Sequence, residues 1–185
     1  SINTSAADIV RSRNLQVEDQ IICISRFGES ARHKNIDAVV DLIPPEAAGY
    51  RLALVIGTAR PPTEEERGRL EAGLGERGVT LKLLHAISDI EKFEEIGRSR
   101  AMLFPSLFEG YGYPPIEAQY MNTPCVAYDL PVLRESSGEG VFFAPPGDVD
   151  AMRARLADIL RGERPAGGAD LSERIATVAS IAAFG

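Results

Sequence analysis

Short apolar runs alternate with helix-like stretches from about residue 20 to residue 162. The apolar runs are rich in Val, Ile and Leu and do not alternate strictly with polar residues, which is typical of strands covered on both faces. Candidate strands lie at 21–25, 51–56, 79–84, 101–104, 124–128 and 141–143. Strands separated by helices of this length predict right-handed crossovers and a mostly parallel sheet. The predicted fold is therefore α/β, a doubly wound parallel sheet of about six strands.

Capping residues mark the helix starts. Thr63 with Glu66 and Ser88 with Glu91 fit the capping-box pattern, in which side chains bind free amides of the first turn. Asp148 is a candidate cap for a later helix.

The alternating part of the chain defines the domain organisation. Residues 20–162 form the predicted domain, preceded by a lead-in or linker over 1–19 with one short helix. Residues 163–185 are predicted to be a loop and a C-terminal helix with an apolar side.

Composition and charge narrow the partners. The 185 residues include 44% hydrophobic and 25% charged side chains, enough for one domain or one half of a two-lobed protein. A formal charge of -7 argues against nucleic acid as a main partner, because phosphate-backbone binding needs a basic face. Cys23 and Cys125 sit alone in apolar runs, which predicts core residues in a reducing compartment, and no apolar run is long enough for a membrane span.

Two loops carry the candidate chemistry, because ligands of open α/β sheets bind beyond the carboxyl ends of the strands. The first loop, 25–35, follows the first strand and contains Arg26, Arg32, His33 and Lys34. These cationic side chains are suited to a phosphate site. Taken alone, the segment fits a solvated loop equally well.

The second loop, 105–117, runs from the fourth strand into a helix whose first turn carries two prolines. Its glycines allow close approach of a ligand, and the helix start favours an anion such as a diphosphate. Glu109 and Glu117 flank this turn. Carboxylates accept hydrogen bonds, so their natural partners are hydroxyl groups, and a nucleotide sugar supplies both hydroxyls and a diphosphate. The alternative is that Glu117 is simply stabilised by the helix dipole and Glu109 is a surface residue.

A third segment, 128–140, could form a wall of the same pocket through Glu135 or could be a solvated face. A nicotinamide-dependent oxidoreductase is disfavoured, because SRFGES rather than a Gly-x-Gly-x-x-Gly sequence follows the first strand.

Most of the chain resembles a known family. About residues 20 to 162 resemble the donor-binding domain of GT-B fold glycosyltransferases. The resemblance is greatest to the retaining family 4 (glycosyl transferases group 1). The resemblance rests on the Glu, seven residues, Glu motif from Glu109 to Glu117 and on four segments: LHAISDIEKFEEI, AMLFPSLFEGYGYPPIEA, TPCVAYDLPVLRE and VFFAPPGDVDAMRARLADIL. It implies a Rossmann-like sheet forming one lobe of a GT-B fold.

The resemblance also implies roles for particular residues. Arg26 and Lys34 would hold the donor diphosphate, Glu109 would be the catalytic glutamate near the transferred sugar, and Glu117 would bind the ribose. The turn formed by Gly110, Tyr111 and Gly112 would face the phosphates and sugar. No metal and no cofactor is implied, the nucleotide-sugar donor being a substrate. Two departures stand out: the eight-residue step from Arg26 to Lys34, which leaves Arg32 as a substitute for either, and His85 where the family often has glycine.

The resemblance implies a retaining enzyme that moves a hexose, with a slight lean to mannose, from a UDP- or GDP-linked donor to a saccharide or lipid-linked acceptor, as in polysaccharide biosynthesis. Acceptor binding would come from a missing N-terminal lobe, so the chain is expected to be the C-terminal half of a larger enzyme. That enzyme would be cytoplasmic, and peripheral association with the inner face of a membrane stays open. The alternatives are a non-catalytic nucleotide- or sugar-binding module and a GT-B relative with other chemistry, such as a phosphorylase or an epimerase.

Overall fold

A computed structural model describes residues 2–58 and 60–166. The strands are β1 (Glu18–Ser25), β2 (Arg51–Ile56), β3 (Thr80–His85), β4 (Ser99–Phe104), β5 (Cys125–Tyr128) and β6 (Phe142–Ala144). The helices are α1 (Thr4–Arg11), α2 (Val39–Leu42), α3 (Glu64–Glu76), α4 (Asp89–Arg98), α5 (Tyr113–Tyr120), α6 (Pro131–Ser137) and α7 (Val149–Leu160). Short 3₁₀ helices lie at Glu29–Lys34, Ile36–Ala38, Pro45–Ala47 and Gly138–Gly140. The predicted C-terminal helix lies outside the described residues.

The six strands form one sheet in the order β3-β2-β1-β4-β5-β6, and every neighbouring pair is parallel. This confirms the predicted doubly wound α/β fold. The strand order reverses between β1 and β4, and ligands of such sheets bind at this switch point. The loops that follow β1 and β4 are the two loops in which the sequence places the candidate chemistry.

Two apolar layers cover the sheet. One layer packs α2, α3 and α7 against alternate residues of β1 and β2, such as Ile21, Leu52 and Leu54. The other packs α1, α4 and α5 on the opposite face, where Phe93 and Met102 are fully buried. Both faces of the central strands are therefore apolar, which is why the strands lack a period-two pattern.

Strand β1 begins three residues earlier than the apolar run because a polar side chain is buried in it. The Gln20 amide nitrogen donates to Ser99 Oγ at 3.1 Å and to Glu95 Oε2 at 3.0 Å. Strand β4 begins early, at Ser99, as part of the same contact. A hydrogen-bonded polar residue can extend a strand inside a core where an apolar pattern would end it.

Helix α1 lies within the stretch predicted to be a lead-in. Asn3 caps it by accepting from the Ala6 amide at 3.1 Å, and Ala6, Ala7 and Val10 are buried. Residues 4–11 are thus packed onto the sheet beside α4, as the predicted short helix.

The predicted helix caps are confirmed. Both capping boxes are complete, at Thr63 with Glu66 and at Ser88 with Glu91. Asp148 accepts from the Ala151 amide at 2.9 Å at the start of α7.

The capping box of α3 predicts acid sensitivity. Hydrogen bonds from Arg60 and from the Thr63 amide lower the pKa of Glu66 from 4.5 to about 2. A lowered folded-state pKa stabilises the fold fully above the unfolded value, so this contribution is lost as the pH falls from about 4.5 towards 2. Thermal unfolding between pH 2.5 and 7 should therefore show a weaker acid dependence in Glu66→Gln than in the unmodified chain. Glu64→Gln, in the same first turn, is the control; identical pH curves for Glu66→Gln and the unmodified chain would refute the assignment.

Candidate functional site

A cleft of about 580 Å³ opens at the carboxyl ends of β1, β2 and β4. Its volume is in the range of small-molecule sites. We call it the switch-point cleft. Its lining consists of Ile24, Ser25, Arg26, Lys34, Gly57, Thr58, Lys92, Glu109, Tyr111, Gly112, Tyr113, Pro114 and Glu117.

The two loops that frame the cleft are joined to each other. The Leu107 amide donates to the His33 carbonyl at 2.7 Å. The Ser106 hydroxyl, which is buried, lies within hydrogen-bonding distance of the carbonyls of His33 and Phe108, and the His33 and Phe108 rings meet edge to face. These contacts fix the cationic loop after β1 against the acidic loop after β4.

Glu109 is paired with Lys34 in the cleft. Lys34 Nζ lies 2.5 Å from Glu109 Oε1, and the two side chains are only 11% and 9% exposed. Glu109 is therefore not the surface residue of the alternative interpretation. Glu109 Oε2 has no hydrogen-bond partner among the described residues. It is not fully buried, and its residue lines the cleft, so this oxygen is accessible to a ligand there.

Glu117 has a matching partner, Lys92. Lys92 Nζ lies 2.8 Å from Glu117 Oε1 and 3.2 Å from Asp89 Oδ1. The Glu117 side chain is 5% exposed, and its Oε2, like that of Glu109, remains open to the cleft. Lys92 is not evident as a site residue from the sequence, because the packing of α4 beside α5 is what brings it to Glu117.

Arg26 supplies a cation without a partner among the described residues. Its side chain is exposed, lines the cleft, and makes no hydrogen bond or ion pair with the described residues. Arg32 lies outside the lining, so the structure brings Lys34, rather than Arg32, to the cleft beside Arg26. Three cations against two carboxylates make the lining net positive in a chain of charge -7. Such a site favours an anionic ligand.

The start of α5 forms one wall. Gly112 has a φ of 78° and precedes the first helical residue, Tyr113, whose ring lies 4.8 Å from that of Tyr111. Pro114 and Pro115 lack N–H groups, so the backbone donors at this helix start are reduced to Gly112 and Tyr113. Gly110 is exposed and lies outside the lining, so its contact with a ligand remains a prediction.

One hydroxyl beside the cleft has no hydrogen-bond partner in the part of the chain that the structure describes. Ser25, the last residue of β1, is 6% exposed, and its Oγ is buried without a hydrogen bond. A sealed polar atom without a partner costs free energy, so Ser25 is a strained point beside the cleft. The sequence analysis did not single out this residue.

Two predicted neighbours lie elsewhere. His85 ends β3 and is exposed, outside the lining. The 128–140 segment is not a polar turn but contains α6; its Glu135 is exposed, and Arg134 pairs with Asp129 at 2.7 Å. The exposure of Glu135 favours the solvated alternative, because Pro131 starts a helix that buries Leu133 and leaves Glu135 exposed.

A second cleft, of about 460 Å³, lies at the opposite end of the sheet, near Ser99 and Pro124. Arginines line it, but Arg13 is paired with Glu94 and Arg100 with Asp19. It lies at the amino ends of the strands, where ligands of this architecture do not usually bind.

The fold and its switch-point cleft define a Rossmann-like α/β domain with the form of a GT-B lobe. The chain belongs to the glycosyl transferases group 1 family, whose model matches residues 18–162. It is 28% identical over 132 residues to the O-antigen chain mannosyltransferase RfbU of Salmonella typhimurium, an alignment that covers 71% of this chain and 36% of that protein. The chain thus spans about a third of that relative's length.

Two solved structures illustrate the similarity of fold. Sucrose-phosphate synthase from Thermosynechococcus elongatus superposes with a TM-score of 0.65 at 22% identity, over 94% of this chain and 44% of that one. The pneumococcal O-GlcNAc transferase GtfA, solved with UDP and GlcNAc, superposes with a TM-score of 0.62 at 19% identity, over 88% and 33%. None of the helices among the described residues is long and apolar enough to cross a membrane.

Proposed function

We propose that this chain is the donor-binding half of a retaining glycosyltransferase that transfers a hexose from a UDP- or GDP-linked donor to a saccharide or lipid-linked acceptor. The observation that carries the proposal is the pairing of Glu109 with Lys34 and of Glu117 with Lys92 in one net-positive cleft. Each pair leaves one carboxylate oxygen open to accept from a hydroxyl group.

In this proposal the ligand's charges meet complementary groups. The diphosphate lies between Arg26, Lys34 and the start of α5. Glu117 accepts from the ribose hydroxyls. These cations and amides are fixed before the reaction, and they stabilise the negative charge that develops on the leaving diphosphate. No metal ion is needed for that stabilisation in the proposed mechanism.

Glu109 has two tasks in the proposal. Its free oxygen accepts from hydroxyls of the transferred sugar near the reacting carbon. Its other oxygen holds Lys34 at the place where the departing phosphate gains charge. The pair therefore orients a cation without exposing it to competing anions from the solvent.

The sugar and the acceptor rest on similarity. A mannosyltransferase among the relatives supports mannose as the transferred hexose. Acceptor binding is assigned to a second lobe, in line with the 36% of the relative that this chain matches. Leu107 and Phe108, directly before Glu109, are exposed apolar residues and would contact that lobe.

We place the protein in the cytoplasm. Both cysteines are free and buried, and burial raises the pKa of the Cys23 thiol to about 12 and that of Cys125 upward as well. Neither thiol needs an oxidising compartment for its role in the core. Peripheral contact of the whole enzyme with a membrane would follow from a lipid-linked acceptor and not from a saccharide acceptor.

A calorimetric titration with UDP, GDP, ADP and NAD at one salt concentration tests the proposal. We expect UDP or GDP to bind with a Kd of roughly 10 μM to 1 mM, about -7 to -4 kcal/mol, because one lobe supplies only part of the site. Binding of NAD alone would contradict it.

The alternative function is a nucleotide- or sugar-binding module without catalysis. It predicts the same titration but no transfer or donor hydrolysis by the full-length protein. The two are separated by assaying donor hydrolysis in the full-length protein and in its Glu109→Gln variant.

A further inference from the structure

Among the described residues, Lys92 is the one cation of the switch-point cleft that neither the motif nor the cationic loop supplies. It lies on α4, and its side chain belongs to the cleft lining. Its Nζ lies over the Phe93 ring, 4.8 Å from the ring centroid.

The contacts of Lys92 fix its direction. An ammonium group has three N–H donors. One acceptor is Glu117 Oε1 at 2.8 Å and another is Asp89 Oδ1 at 3.2 Å. Asp89 is itself held by the Asn3 side chain at 2.9 Å, and that hydrogen bond and Lys92 lower the pKa of Asp89. One N–H of Lys92 remains for a ligand.

The contacts of Glu117 give Lys92 its importance. A carboxylate as buried as that of Glu117 is stable only when it is paired. Among the described residues the only hydrogen bond to this carboxylate comes from Lys92, through Oε1, while Oε2 is open to the cleft. Lys92 therefore sets which oxygen is presented to a ligand.

We propose that Lys92 is a positioning residue for the nucleoside end of the donor: it holds Glu117 so that Oε2 accepts from the ribose hydroxyls, and it donates its remaining N–H to an acceptor on the nucleoside. This inference rests on the proposed function. The inference assigns the two lysines of the cleft to different parts of the ligand: Lys34 binds the diphosphate and Lys92 binds the nucleoside.

The test compares two ligands, the preferred nucleoside diphosphate (UDP or GDP) and inorganic pyrophosphate. Calorimetry measures the first and phosphorus NMR the weaker second. Lys92→Met should weaken the nucleoside diphosphate at least tenfold and leave pyrophosphate within about twofold. Lys34→Met should weaken both ligands.

Lys82→Met is the matched control. Lys82 Nζ lies 2.7 Å from Glu95 Oε1 in a more exposed pair outside the cleft, so its loss should change neither affinity. Lys92→Arg should restore part of the nucleoside diphosphate affinity, because it keeps the charge on Glu117.

A neutral double variant guards against unfolding. Lys92→Met with Glu117→Gln leaves no unpaired buried charge, so it should fold as stably as the unmodified chain and still bind the nucleoside diphosphate weakly. The inference is overturned if Lys92→Met matches Lys82→Met, or if it loses both ligands alike. Silence of the unmodified chain with UDP and GDP would overturn the proposed function and this inference together, whereas normal binding by Lys92→Met would overturn this inference alone.

Discussion

Gly112→Ala is expected to lower the free energy of unfolding by about 2–5 kcal/mol and to abolish nucleotide binding. Gly112 has a φ of 78°, where an L-residue costs about 1–2 kcal/mol. A Cβ at this position would also lie 2.1 Å from Leu133 Cδ2. Leu133 is fully buried and cannot swing into solvent, so overpacking adds about 1–3 kcal/mol. Urea denaturation measures the loss.

Two other glycines separate the causes. At Gly147, with a φ of 79°, an added Cβ meets nothing within 4 Å, so Gly147→Ala should show the backbone cost alone. Gly110 has no positive φ and equally open surroundings, so Gly110→Ala should be nearly neutral for stability. Equal stabilities for the Gly112 and Gly110 variants would contradict the packing described between the loop and α6.

Lys34→Met is expected to lower the free energy of unfolding by about 3 kcal/mol and to remove diphosphate affinity. The change leaves the Glu109 carboxylate buried without its partner, and breaking such a pair costs about 3–5 kcal/mol when it is fully buried. We expect the low end of this range because about a tenth of each side chain remains exposed to solvent. Thermal unfolding and calorimetry with UDP and GDP measure the two effects.

Lys34→Met combined with Glu109→Gln distinguishes stability from binding. The double variant should regain most of the stability, because no buried charge is left alone, but none of the diphosphate affinity. Lys82→Met again provides the reference, since its pair is more exposed and should be worth at most about 1 kcal/mol. A double variant that binds diphosphate normally would remove Lys34 from the site.

The sequence predicts this fold well because its signals are local. Each strand is an apolar run, and each of two helices begins with a capping box whose partners are three residues apart. The sequence does not predict a strand boundary that depends on a tertiary contact. Gln20 extends β1 only because Ser99 and Glu95 accept its hydrogen bonds.

The candidate site divides in the same way. Glu109 and Glu117 can be found because a short loop fixes both the spacing and the environment of the pair. Lys92 cannot be found in this way, because the stretch SDIEKFEEIG has the charge pattern of a solvated helix. What brings its ammonium group to Glu117 is the packing of α4 beside α5, a contact between residues 25 apart in the chain.

The hydrogen bond from Leu107 to His33 has a consequence for the thermodynamics of binding. It joins the loop that carries the cations to the loop that carries Glu109, so the two halves of the cleft are constrained as one unit. A ligand that bridges them then loses little additional loop entropy on binding, and a larger share of its contacts appears as affinity. Calorimetry should accordingly record an unfavourable entropy smaller than that of a site assembled from two independent loops.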